Sequence, residues 1–555
     1  IKVPARLTTQ AVAAQKSTLP LIKNLVGRSP GRGTPVRQWD KFDPHADLFD
    51  LQRQYAMPDP FLGRNDAVLH VLSCLPLHRL STIVGECASG KTCVAKMVIY
   101  TLQQRAAEAA DGRYLYREGV FQISCATMPS LQQLVFETAG IVGRLTSDED
   151  ELVLAICDKN LLIVYDGVDG LLADKTQSVL FKTFLEKVLQ GVPGLSVLCT
   201  CARPLGVPYE NIIGLNKLSD SELASLIRAD GLANFHSGDK ICIYFNGNPL
   251  AASIASGLLM EGMKNEELYD IIHSHHKMDI KRLKLGEFDA DPWNDAVKDH
   301  ISKDGRLVGN NLCVRAWIRC AVGYVETSYP NAYNTLRFLA WAPAGVEYRD
   351  YVNSVNAHSA VLEILFQKYK LVEVVDASGE LIEGIKTTKQ FYACKGGGGL
   401  IRMRPTVAKM VLEMKEEFPD DSRRMLRLYM NTLDKQADII HSNLIAFKTA
   451  VALQSLGVVE HTLWSCINYD ALIRPGICGE DLTMIETAGR LGHSVALIML
   501  SLNRLPEAID ATILCARFFA HLFESELTPT EIRSRKLNEA IRVKGPGQLG
   551  KALRL

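Results

Sequence analysis

Residues 85–92 read Gly-Glu-Cys-Ala-Ser-Gly-Lys-Thr, and this octet restricts the chain more than any other stretch in it. The pattern GxxxxGK[ST] works where a strand feeds a tight turn that opens a helix. Gly85 and Gly90 let the backbone curl, so that the N–H groups of Glu86, Cys87, Ala88, Ser89 and Cys93 converge on phosphate oxygens. Lys91 is predicted to reach the outer phosphates and Thr92 to hold Mg²⁺. The flanks supply the context that a chance glycine turn lacks. Residues 80–84, Leu-Ser-Thr-Ile-Val, form a short apolar strand, and residues 93–100 continue as a helix whose N-terminus faces the anion.

The strands that follow have the form of a buried parallel sheet. Residues 119–124 read as a second strand and 131–142 as a helix. Residues 161–166, Leu-Leu-Ile-Val-Tyr-Asp, are a continuous apolar run that ends in a carboxylate, as a strand does when it delivers an acid to the carboxyl edge of the sheet. Asp166 is therefore predicted to hold the Mg²⁺ with Thr92; the plainer reading is a turn-forming aspartate. A fourth strand, 194–201, ends near Arg203, which is either a γ-phosphate sensor or a solvated strand-end arginine. A short fifth covers 212–215. Strands alternating with helices behind a phosphate loop predict an α/β fold with ligand at the carboxyl edge.

Beyond this sheet the pattern becomes helical. Ser219 with Glu222 forms a capping box that starts a helix. Residues 246–251, Asn-Gly-Asn-Pro-Leu-Ala, end one helix and start the next. Residues 315–337 read as helical with a break at Tyr329-Pro330, and 343–346 as a turn. A helix over 359–369 leads into a strand at 371–375. Strands at 391–394 and 400–403, joined by Lys395 and four glycines, read as a hairpin, and helices followed by a hairpin describe a winged helix. After Pro419 the chain is helical, and 485–509 resembles an imperfect tetratricopeptide unit. The predicted organisation is a basic tail or linker over 1–56, a nucleotide-binding α/β domain over 57–210, a helical lid over 211–300, a winged-helix domain over 301–420 and an α-helical repeat-like domain over 421–555.

Composition narrows the partners. Lys+Arg and Asp+Glu both number 62 in 555 residues, which argues against a wholesale nucleic-acid or membrane-surface role, and DNA is not an expected partner. No apolar run reaches membrane-spanning length. Of the 14 cysteines, Cys125, Cys157, Cys199 and Cys242 fall in apolar runs and read as core residues of a reducing compartment; no CxxC pair predicts a zinc site. Before Asp40 the chain is basic with no acidic residue, which suits a disordered linker after another domain or an organellar transit peptide. The expected location is cytoplasmic, or organellar on the transit-peptide reading.

Taken in order, these stretches resemble the signal-transducing ATPases with numerous domains (STAND), and within them the NB-ARC group of apoptosome ATPases and plant disease-resistance proteins. The resemblance covers residues 57–420. It implies ATP or ADP with Mg²⁺ as ligands, self-association through the nucleotide module, and protein partners for the C-terminal helices. Phe61-Leu62-Gly63-Arg64, from spacing alone either a helix lead-in or a base-binding turn, is similar to the family's adenine-side motif and implies base contact by Leu62 and Arg64. Residues 200–203 are similar to the strand-end sensor. Residues 247–251 are similar to the lid motif, whose proline, here Pro249, packs on the base. The chain departs from the family's pattern at three places. Gly167 stands where many relatives carry a second acid, with Asp169 two residues on, which implies very slow turnover. The sensor stretch is one residue longer than usual. Arg402-Met403-Arg404-Pro405 replaces a Met-His-Asp triplet, so that Arg404 takes the place of a histidine beside the β-phosphate. The family reading is a nucleotide-dependent switch that opens and assembles. Two others stand beside it, a DNA-associated AAA+ initiator or loader and a nucleotide-locked scaffold that does not hydrolyse.

Overall fold

The computed structural model describes residues 57–58, 61–108, 116–125, 130–284 except 143 and 145, 310–340, 345–347, 364–375, 400–404 and 505–526, with single positions in 407–411 and 485–499. The chain divides into two units, Ile1–Asp43 and Pro44–Leu555, and every described residue belongs to the second. The predicted tail over 1–56, the strand at 391–394, the glycine run at 396–399, Pro405, and residues 421–484 and 527–555 lie outside the described residues.

Helix α1 (Asn65–Cys74) precedes strand β1 (Leu80–Val84), and helix α2 (Lys91–Glu108) starts at the lysine of the octet. Then come β2 (Gly119–Ser124), α3 (Leu131–Ile141), α4 (Glu149–Ile156), β3 (Leu161–Asp166), α5 (Asp169–Ala173), α6 (Lys175–Gly191), β4 (Ser196–Cys201) and β5 (Asn211–Gly214). The five strands form one parallel sheet in the order β2-β3-β4-β1-β5. Both faces are covered, which explains why β3 reads as an unbroken apolar run up to Asp166. Along β3, Leu161, Ile163 and Tyr165 pack with α3 to α6 on one face, while Leu162 and Val164 pack with α1 and α2 on the other. This is the period of two expected for a strand between two helical layers.

The region after the sheet is mainly helical. Helix α7 (Asp220–Ala229) begins at the predicted capping box: Ser219 N–H donates to Glu222 Oε2 at 2.7 Å, and Glu222 N–H to Ser219 Oγ at 3.3 Å. A 3-10 turn (Lys240–Tyr244) leads to α8 (Pro249–Met260) and α9 (Asn265–Lys284). Helices α10 (Asn310–Ser328) and α11 (Pro330–Ala340) follow, then strands β6 (Val346–Glu347), β7 (Val372–Val375) and β8 (Leu400–Met403), with a π-helical turn (Ile364–Lys368) before β7. The break expected at Tyr329-Pro330 separates α10 from α11. Strand β8 lies between β6 and β7, antiparallel to both.

One buried cluster runs from Leu218, just before α7, to Val411 beyond the small sheet. Helix α10 ties into it through the elements before it. Its Trp317 indole N–H donates to Tyr244 O at 2.9 Å, and its Arg319 pairs with the fully buried Asp279 of α9 at 2.6 Å. Gly257 of α8 lies so close to the turn before β7 that an added Cβ would sit 2.1 Å from Lys368 O. Beside it Lys368 Nζ and the Tyr329 hydroxyl both reach Glu261, the latter at 2.6 Å. Farther on, α12 (Leu505–Glu526) buries Ala508, Ala511, Cys515 and Phe518.

Cys125, Cys199 and Cys242 are buried as expected, but Cys157 is exposed. It follows the last residue of α4 as the C-cap, where the chain turns out of the core. No described helix is long and apolar enough to cross a membrane.

Candidate nucleotide site

The octet forms a turn between β1 and α2 with two consecutive-but-one residues in the left-handed region, Ala88 at φ 55° and Gly90 at φ 96°. Such a turn aims backbone N–H groups inward and makes an anion-binding concavity in front of the helix N-terminus. Lys91 Nζ donates to Gly85 O at 2.7 Å and to Glu86 O at 2.8 Å, so the ammonium is folded back across the turn. Ser89 Oγ is buried with no hydrogen-bond partner among the described residues. A buried hydroxyl of this kind fits an anionic ligand, because leaving it unsatisfied costs about 1–3 kcal/mol.

Asp166 arrives at the same carboxyl edge of the sheet, one strand removed from β1. It ends β3, and β4 places Thr200 beside it in register. Thr200 Oγ1 donates to Asp166 Oδ1 at 2.6 Å and accepts Gly167 N–H at 2.8 Å. Thr92 Oγ1 donates to the same Oδ1 at 3.0 Å, and Gln122 Nε2, near the end of β2, to Oδ2 at 3.3 Å. Three strands and the phosphate-loop helix thus converge on one carboxylate. The Thr92 hydroxyl and Asp166 carboxylate are hard oxygen donors suited to Mg²⁺, which takes one or two protein oxygens and keeps several waters. Among the described residues no cluster of three or more His, Cys, Asp or Glu could hold a metal by itself.

Strand β4 also carries the predicted sensor. Asp169 Oδ1 accepts Ala202 N–H at 2.7 Å and the Cys201 thiol at 3.2 Å, which fastens the start of α5 to the strand end just before Arg203. Burial, then the Asp169 charge, pushes the Cys201 thiol up to about 12, so it stays protonated. Arg203 itself is exposed at the carboxyl edge. Gly167 offers no side chain, and Asp169 is engaged with backbone.

The start of α8 meets the loop directly. Asn248 caps α8 by accepting Leu250 N–H at 3.0 Å and Ala251 N–H at 3.2 Å, while its own Nδ2 donates to Cys87 O at 2.9 Å. Pro249 follows at the first helical position, and a Cβ added at Gly90 would lie 4.0 Å from its Cγ. Arg64 closes the other side: Nη2 donates to Ser89 O at 2.9 Å and Nη1 to Asn216 O. Burial lowers the pKa of this guanidinium, with Glu222 and Cys93 acting in the opposite sense. Leu62 and Ala88 pack against the buried cluster that runs from Leu218 to Val411, and Cys93 is exposed on the first turn of α2.

Arg64, Pro249, Lys91, Thr92 and Asp166 therefore lie around one loop. Arg404 sits with the small sheet instead, its Nε donating to Lys370 O at 2.7 Å and its Nη1 3.9 Å from Glu373. Sequence reasoning passed over Asn248, Gln122 and the side-chain role of Thr200. The signal for Asn248 was present, since Asn before Pro is a strong helix start; Gln122 and Thr200 acquire their role only through strand order.

No protein-family model matches the chain. No curated protein matches it. Among solved structures it is similar to a STAND protein with a tetratricopeptide repeat sensor from Pyrococcus horikoshii, at 12% identity and a TM-score of 0.39, over 90% of this chain and 72% of that one. It is also similar to a Walker-type ATPase of Pyrococcus abyssi, at 13% identity and a TM-score of 0.29, over 66% of this chain and 99% of that one. A third is the AMPPCP-bound DnaA from Aquifex aeolicus, at 14% identity and a TM-score of 0.27, over 58% and 89%. The fold assignment rests on the parallel sheet and the phosphate-loop turn of this chain.

Proposed function

We propose that the chain is an ATP/ADP-operated signalling switch, in which the nucleotide at the phosphate loop decides whether the lid and wing stay folded over the sheet. One observation carries this reading: Asn248 of the lid and Arg64 ahead of the sheet both bond carbonyls of the same loop, at Cys87 and Ser89. On this reading a ligand seated in that loop would lie beside both groups and bind the closed and open arrangements with different affinity. That difference is what lets a ligand shift a conformational equilibrium.

On this reading Lys91 binds the outer phosphates, the loop N–H groups and Ser89 Oγ hold the rest of the chain of phosphates, and Arg64, Leu62 and Pro249 line the base side. Thr92 and Asp166 hold Mg²⁺, which neutralises phosphate charge when bound. Arg203 adds positive charge from the strand end, while Arg404, engaged with Lys370 O and Glu373, would reach the phosphates only by leaving those partners. Self-association would use the nucleotide module once it is uncovered, and protein partners the C-terminal helices.

Hydrolysis is proposed to be slow or absent. Gly167 has no carboxylate to orient water, and Asp169 is held by Ala202 N–H. A nucleotide-locked scaffold is the limiting case of the same site.

The test is to identify the nucleotide that co-purifies with the chain, exchange it, and follow particle size by sedimentation. ADP should co-purify, ATP should enlarge or open the particle, and Lys91→Ala should abolish binding. Nucleotide affinity unchanged in Lys91→Ala overturns the proposal, whereas salt-sensitive affinity for duplex DNA would support a DNA-associated initiator in its place.

A further inference from the structure

Helix α8 touches the phosphate loop at one end and the turn before the small sheet at the other. At its start Asn248 Nδ2 donates to Cys87 O at 2.9 Å, and Pro249 Cγ lies 4.0 Å from where Gly90 would carry a Cβ. The helix has 12 residues, so its far end stands about 18 Å away. There Glu261 is the C-cap. Its Oε2 accepts the Tyr329 hydroxyl at 2.6 Å, and its Oε1 pairs with Lys368 Nζ, which also lies 6.0 Å over the Tyr329 ring. Gly257, about one turn earlier, closes against Lys368 O. Between the two ends Leu250, Ala251, Ala252, Ile254, Ala255 and Leu258 are buried. A helix packed this closely passes a displacement from end to end, because protein interiors compress little.

The turn that holds Lys368 is in turn fastened to β8. Leu371 N–H donates to Leu365 O at 3.0 Å, Arg404 N–H to Leu371 O at 3.1 Å, and Arg404 Nε to Lys370 O at 2.7 Å. Lys370 stands at φ 53°, a left-handed conformation that a residue with a side chain keeps only where its surroundings hold it. Next to it, Glu373 of β7 takes Arg402 Nε at 2.7 Å and has Arg404 Nη1 at 3.9 Å. A continuous chain of contacts thus runs from Cys87 through α8 and Glu261 to Lys368 and the end of β8. The Lys368 bond, then the Tyr329 bond, holds the Glu261 carboxyl below its ordinary value. With the Lys368 side chain 42% exposed, the pair adds little to global stability, and its removal tests coupling rather than folding.

We propose that α8 is a coupling rod through which the phosphate loop and the small sheet bias each other, with the Glu261–Lys368 pair as its distal fastening. The rod deepens the switch reading and rests on it for its purpose, namely that a nucleotide at the loop alters how the small sheet is held.

The experiment follows hydrogen–deuterium exchange in the full chain without nucleotide. Asn248→Asp removes the donor to Cys87 and keeps the cap, and should speed exchange at residues 364–371 about fivefold or more while β1 and β4 exchange as in the parent. Coupling is reciprocal, so Lys368→Met should speed exchange at residues 86–90 by about the same factor. Glu261→Lys combined with Lys368→Glu should restore the parent rate. Parent-like exchange at the remote end in either variant, or a rise no larger than that of β1 and β4, overturns the rod; if Asn248→Asp fails to fold, Lys368→Met decides alone. With a fluorescent ADP analogue bound, Lys368→Met should release it about fivefold faster or more, and parent-like release also overturns the rod. A parent that binds no ADP defeats the switch reading, while the exchange results still decide the rod.

Discussion

Asn248 both caps the first turn of a lid helix and donates its side-chain amide to the Cys87 carbonyl of the phosphate loop at 2.9 Å. The two tasks use different ends of the amide, Oδ1 for the helix and Nδ2 for the loop, so substitution can separate them. Asn248→Asp keeps a good cap but loses the donor and sets a negative charge beside an anion site. Asn248→Ala loses both. Asn248→Asp should therefore melt within about 1 kcal/mol of the parent and bind ADP at least tenfold more weakly, while Asn248→Ala should lose an additional 0.5–2 kcal/mol or so of stability. Calorimetric melts beside an ADP titration check this, and equal melting losses would mean the capping geometry is wrong.

Gly257 offers a test in which two effects oppose each other. Alanine in place of glycine inside a helix ordinarily stabilises by about 1 kcal/mol. Here the added methyl would meet Lys368 O at 2.1 Å, where the lid helix crosses the turn before β7. Overpacking of this kind costs about 1–3 kcal/mol. Gly257→Ala should thus destabilise, and a rise in melting temperature would show that the helix and turn do not touch.

Thr200 shares Oδ1 of Asp166 with Thr92 and also receives the Gly167 N–H. Thr200→Val keeps the shape and removes both bonds at a buried position. The expected loss is about 1–3 kcal/mol, from a Gly167 N–H left without its partner and a carboxylate that keeps only Thr92 and Gln122. Mg²⁺-dependent nucleotide binding should weaken more than Mg²⁺-free binding, since Asp166 is freed to turn. Isothermal titration with and without Mg²⁺ distinguishes this from general destabilisation, in which both would fall together.

Glu373 sets a pH dependence with a definite sign. Its folded-state pKa lies below the ordinary 4.5 because Arg402, Arg404 and Lys96 outweigh its burial. A depressed carboxyl pKa contributes stability that is complete above the unfolded value and fades as pH falls through the folded one. The difference in melting temperature between the parent and E373Q should therefore be flat from about pH 8 to about pH 5 and shrink only below about 4.5. A difference that vanished between pH 7 and 6, roughly the range in which histidines titrate, would point to a histidine in place of this glutamate.

Much of this site could be read before any coordinates. The octet, the apolar run ending in Asp166, and the Ser219–Glu222 box are local signals, written in residues that lie next to one another. Arg64 and Pro249 were reached through a family resemblance, and the structure brings both to the loop. What stayed hidden depends on which strands become neighbours. Nothing in residues 196–201 says that β4 enters between β1 and β3, and only that placement turns Thr200 into a partner of Asp166. Likewise the Glu373–Arg402 pair exists because of the register of β7 on β8. Cys157 misled because its apolar neighbours belong to a short helix that ends one residue earlier.

The interior position of β1, between β4 and β5, has a consequence for biosynthesis. Both of its neighbours, β4 and β5, lie more than a hundred residues downstream, so while the chain leaves the ribosome the octet waits, tethered to a strand with no pairing edge. The lid asparagine that braces it is made later still. Every nascent copy therefore passes through a period with an unclosed apolar strand exposed, when misfolding and chaperone capture are most probable.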